Sequence, residues 1–86
     1  MEIKLAILPY GWIFVGNYKK DGKTHVLENS KNIRRSYTGK GVCDLAETGP
    51  SDDVTLDDSH TIEFKDYVAM VRCNNENWKK ALGLDD

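Results

Sequence analysis

No apolar run in these 86 residues approaches the roughly 20 that a membrane-crossing helix needs, and Met1-Glu2-Ile3-Lys4 does not open a signal peptide. A cytoplasmic protein with no membrane partner is therefore expected. Cysteine is scarce: Cys43 and Cys73 stand apart, outside any CxxC spacing and with no histidine close in sequence. That argues against zinc and favours two free thiols over a disulfide. Internal repeats and low-complexity tracts are absent. So is the GxxxxGK[ST] spacing of a phosphate loop, and neither His25 nor His60 sits in a recognisable catalytic motif. An enzyme and a bound cofactor are not expected.

What is present is a single short domain, residues 1–86, whose 40% apolar content suffices for a modest core. So small a domain buries little of its surface, so a homo-oligomer is expected, joined through unpaired edge strands such as Ile3–Leu8 or Val68–Cys73. Net charge is −2 but unevenly placed. Residues 1–40 hold eight Lys and Arg against three Asp and Glu, while residues 41–86 hold four against eleven. The basic part either offers a face to an anionic ligand or folds onto the acidic part and neutralises it.

The clearest local signal runs from Gly11 to Ser36. Trp12, Phe14, Gly16 and Tyr18 alternate with Ile13, Val15 and Asn17, the period of a strand. Lys20-Asp21-Gly22-Lys23 supplies a hairpin turn. Thr24–Glu28 returns, Asn29–Asn32 bends, and Ile33–Ser36 resumes an extended course, giving one bulged strand or two short ones. Upstream, Glu2–Leu8 reads as a strand closed by Pro9, with a short helix as the competing assignment. Downstream, Tyr37–Asp58 is rich in Gly and Asp and is expected as a long connection, with only Val42–Glu47 able to form a helical turn. His60–Phe64 and Asp66–Cys73 are expected as a closing pair of strands, and Asn74–Gly83 as a short helix with Trp78 in its apolar face. Trp12 and Phe14 are expected in the sheet core, with an exposed stacking role as the lesser alternative for Trp12. The fold class is thus mostly β: a small bent five-stranded antiparallel sheet or barrel with a long inserted loop and a short C-terminal helix.

Two resemblances bear on function. Gly11, Val15, Gly16, the Asp21-Gly22 turn, Val26-Leu27, Ile33-Arg34 and Val71-Arg72 resemble the Sm-like proteins (Sm, LSm, Hfq) over residues 11–35 and 66–74. That likeness implies a bent barrel, assembly into rings and RNA as a partner, with Arg72 at the ligand. The chain departs from the pattern in lacking an N-terminal helix, in carrying Thr24 or His25 where asparagine is common, and in closing on Arg72-Cys73 instead of Arg-Gly. Over most of the chain, Ile33-Arg34-Arg35, Thr38, Lys40-Gly41, Leu45-Ala46 and Gly49-Pro50 are similar to a group of short phage and prophage proteins.

The candidate site is Arg34, Arg35, Tyr37, Thr38, Lys40 and Gly41, and the competing reading of this segment is a solvated basic turn whose arginines pair with the Asp-rich loop. Guanidiniums make bidentate contacts to phosphate, hydroxyls add donors, glycine lets backbone N–H groups approach an anion, and tyrosine stacks on a base. Because side chains alternate along a strand, one arginine is expected to face the ligand and the other an acidic residue or a neighbouring subunit. Asp52, Asp53, Asp57 and Asp58 fit no calcium loop, so no metal is expected there. The first expectation is a non-enzymatic, phage-type protein that captures a small anionic nucleotide-type ligand, in effect sequestering a host signal. An Sm-like RNA-binding ring and an inhibitor that binds a host defence protein are the alternatives.

Overall fold

The computed structural model describes residues 1–36, 41–51 and 54–84. In chain order the strands are β1 (Ile3–Ile7), β2 (Ile13–Asp21), β3 (Thr24–Ser36), β4 (Val54–Phe64) and β5 (Ala69–Arg72), with helix α1 (Val42–Thr48) before β4 and α2 (Asn75–Trp78) after β5. They form one antiparallel sheet in the order β4-β3-β2-β1-β5. Glu2–Leu8 is therefore a strand, and the central one of β2-β1-β5, so it is not the edge expected of it. The edges belong to β4 and β5. The last two strands are not a pair but lie at opposite ends of the sheet.

Local chemistry explains the turns. Asp21 pairs with Thr24, which leaves Gly22-Lys23 as a two-residue hairpin loop with Gly22 at φ 61°, the first central position where a II′ turn needs glycine. Thr24–Ser36 is one bulged strand: the register passes from Val15–Lys31 to Asn17–Glu28, so Asn29 and Ser30 both lie opposite Gly16. Strand β4 starts at Val54, six residues before the expected His60, because Val54, Thr55 and Leu56 already pair with Ser36, Arg35 and Ile33. The acidic run that suggested a loop is accommodated by cross-strand charge: Lys31 bonds Asp58, and Arg34 lies beside Asp57.

The two helices cover one face of the sheet. Ile3, Leu5, Val15, Ile33, Leu45, Ala46, Cys73, Trp78 and Leu82 form the core cluster. Trp78 is fully buried, and its Nε1 donates to the carbonyls of Leu45 and Ala46 (3.2 and 3.1 Å). Helix α2 is shorter than the expected Asn74–Gly83 and continues as turns, with Asn74 capping it from its side chain. Asn75 ties the first strand down, accepting from the Ile3 N–H (3.1 Å) and donating to the Met1 carbonyl (3.0 Å).

The other phase of the strands carries Lys4, Ala6, Phe14, Gly16, Tyr18 and Leu27. Ala6 and Leu27 are fully buried without joining the helix-side cluster. The connection from β4 to β5 brings Tyr67 edge-on against His25 of β3, with centroids 5.1 Å apart. Trp12 is 55% exposed, which corrects the expectation of a core position. The helices meet the phase of Ile13 and Val15, and Trp12 precedes β2 at the open end, where it stacks on Phe14 (6.2 Å, 15°).

Candidate functional site

The strand register brings three side chains of one face into a row across β2, β3 and β4: Phe14 pairs with Asn32, and Asn32 with Asp57. Successive members stand about 4.8 Å apart in the ladder direction. Trp12 extends the row by stacking on Phe14. At its other flank Arg34 Nε lies 3.4 Å from Asp57 Oδ2, with the two side chains 64% and 44% exposed. Trp12 and Arg34 each lie two residues beyond the Phe14–Asn32 pair, so the antiparallel register carries both to the same end of the sheet. The result is an open aromatic shelf flanked by an amide, a carboxylate and a guanidinium.

The Arg34–Asp57 contact is long for a hydrogen bond and Arg34 is mostly exposed, so its guanidinium keeps donors open to solvent beside Asp57. An exposed pair of this kind contributes about 0–1 kcal/mol to stability, so it orients the guanidinium more than it holds the fold.

Of the residues expected at the site, Arg34 is exposed and lies beside Asp57, the surroundings expected of the arginine that does not face the ligand; being exposed, it is still open to one. Arg35 continues β3 opposite Thr55. Tyr37, Thr38 and Lys40 lie outside the described residues. Gly41, at φ 89°, precedes α1 as its N-cap. Arg72 sits on β5 opposite Lys4, three strands from Arg34 in the sheet order, and the sheet does not bring the two together. Asn32 is the member that sequence alone does not supply; Asp57 reads there only as part of an acidic loop, and an exposed Trp12 only as the lesser alternative.

Three further features bear on chemistry. A cavity of about 320 Å³ opens at the β3–β4 bulge, lined by Asn29, Ser30, Lys31, Asp58, His60, Thr61 and Leu82. Buried Ser30 donates from Oγ to the His60 carbonyl and pairs with Ser59 Oγ (both 2.6 Å). Lys31, through its hydrogen bond and its charge, holds the Asp58 carboxyl below the usual range. Tyr18 Oη bonds His25 Nδ1 (2.7 Å), and His25 stacks on Phe64 (5.6 Å), so this histidine is packed among aromatics. Both cysteines are free; burial pushes the Cys73 thiol up to about 12, which leaves it inert at neutral pH. Among the described residues no group of three or more His, Cys, Asp or Glu side chains is placed to hold a metal ion, and no helix is long and apolar enough to cross a membrane.

No protein-family model, no curated protein and no solved structure matches this chain.

Proposed function

We propose that this chain is a non-enzymatic binding protein that captures a small anionic nucleotide-type ligand at the Trp12–Arg34 end of its sheet. One arrangement carries the reading: an exposed indole and an exposed, carboxylate-oriented guanidinium at the same end of the β2–β3 ladder. The outer face of Trp12 accepts a base by stacking, worth about 1–3 kcal/mol. The terminal nitrogens of Arg34 take the anion through charge-assisted hydrogen bonds, worth about 1.5–3 kcal/mol.

Intrinsic fluorescence tests this, because Trp78 is fully buried and Trp12 is the exposed indole. Titration with 5′-mononucleotides and cyclic nucleotides should give saturable quenching that Trp12→Phe removes. Arg34→Ala should weaken binding about ten- to a hundredfold. Labelled oligo-uridine and oligo-adenine form the RNA arm. No saturable change with any of these ligands overturns the proposal.

A second reading has its own observation. Tyr10, Trp12, Tyr67 and Val68 are large exposed apolar side chains, and the end of β1 brings two of these residues together: Leu8 N–H bonds the Trp12 carbonyl, and Val68 N–H the Ile7 carbonyl (both 2.7 Å). Exposed aromatics so grouped also suit a protein partner, the inhibitor reading.

A further inference from the structure

We infer that the base captured at this site is guanine, read by the Arg34–Asp57 pair; the inference rests on the nucleotide-binding reading above and names its ligand. The pair offers an acceptor, the Asp57 carboxylate, next to the donors of the Arg34 guanidinium, with Nε and Oδ2 3.4 Å apart. Around the rim of guanine the groups run N2–H, N1–H, O6, N7 and then, in an anti nucleotide, the 5′-phosphate. Asp57 followed by Arg34 is the complementary order: the carboxylate accepts from N1–H and N2–H, and the guanidinium donates to O6 and N7 and lies on the side of the phosphate.

The other bases conflict with this order. Adenine turns the N1 lone pair toward the carboxylate, an acceptor against an acceptor. Cytosine offers one amino group beside the N3 lone pair, and uracil a single N–H between two carbonyls. Guanine is the base among the four with two adjacent donors for one carboxylate.

The sheet supplies the placement. Asp57 stands two strands from Phe14 in the row through Asn32, and a base lying on Trp12 with its edge along that row meets Asn32, Asp57 and Arg34. Asp57 is half-buried and Asn32 likewise, so both carry side chains held by the ladder and still within reach of a ligand.

The test is fluorescence titration of the parent protein with GMP, AMP, CMP, UMP and inosine monophosphate, which lacks the guanine N2 amino group. GMP should bind about ten- to a hundredfold more tightly than AMP, with inosine monophosphate between them. Asp57→Asn and Asp57→Ala, each confirmed as folded by its thermal melt, should bring GMP to within about threefold of AMP while AMP itself changes little. Equal binding of all the nucleotides, or a guanine preference that survives both Asp57 variants, overturns this inference and leaves the binding reading standing. Absence of binding by every nucleotide overturns both.

Discussion

Gly16 and Leu27 meet without clearance across β2 and β3. A methyl group at position 16 would lie 3.0 Å from Leu27 Cβ, 3.0 Å from the Glu28 carbonyl oxygen and 3.1 Å from Ser30 Cβ. The bulge of Asn29 and Ser30 folds the strand over this glycine, and that fold buries Leu27. Gly16→Ala should therefore destabilise by about 1–3 kcal/mol, since one of the clashes is with backbone. Urea denaturation measures it; an unchanged midpoint would show that the bulge relaxes freely.

Trp78 anchors the C-terminal segment. Its Nε1 shares its two carbonyls with backbone donors, because Leu45 O also accepts from Gly49 N and Ala46 O from Asn74 N. Neither carbonyl is left bare when the indole goes, so the loss is one of packing. Trp78→Ala should lower stability by about 3–5 kcal/mol and Trp78→Phe by clearly less. Equal losses in the two variants would place the contribution in the hydrogen bonds instead.

The two thiols should separate by reactivity and by pH. Cys43 is exposed and Cys73 buried, so a colorimetric thiol reagent should titrate one group at once and the second only in urea. Burial raises the Cys73 thiol from 9.0 to about 12. The native state keeps this proton to higher pH than the unfolded chain does, so its contribution is intact below pH 9.0 and is lost as pH rises through the interval to about 12. Cys73→Ala should flatten the alkaline fall in unfolding free energy; a fall of the parent's steepness in the variant would rule this source out.

His60 holds φ 58° and Asn29 φ 52° at the bulge cavity. Asparagine tolerates the left-handed region and histidine less so. Replacing His60 with glycine relieves about 1–2 kcal/mol of strain and returns about 0.4–1 in unfolded-chain entropy, for a net gain on the order of 0.5–1 kcal/mol. A melting temperature higher by about 2–8 °C is expected, with little change for Asn29→Gly. A lower melting temperature for His60→Gly would mean that the imidazole makes a stabilising contact at the cavity.

Much of the sheet was legible because its signals are local. The Asp21-Gly22 turn, the two-residue alternation of β2, the bend at Asn29–Asn32 and the start of a helix near Asn74 each depend on a few neighbouring residues. The start of β4 was not legible, because Asp57 and Asp58 read as loop until Arg34 and Lys31 stand across from them. The candidate site was half legible: Arg34 came from its chemistry, while Trp12, Asn32 and Asp57 join it only through the register of β2, β3 and β4.

The sequence by itself determined which residues alternate, where the chain turns and which arginines could meet an anion, since backbone geometry and side-chain chemistry act over a few positions. Only the tertiary structure decided that the Ile13–Val15 phase meets the helices, leaving Trp12 at the open end. It also decided that a row through Asn32 connects that indole to the Arg34–Asp57 pair. Those outcomes depend on long-range register and on what packs against each face, and burial is a property of the partner surface as much as of the residue buried.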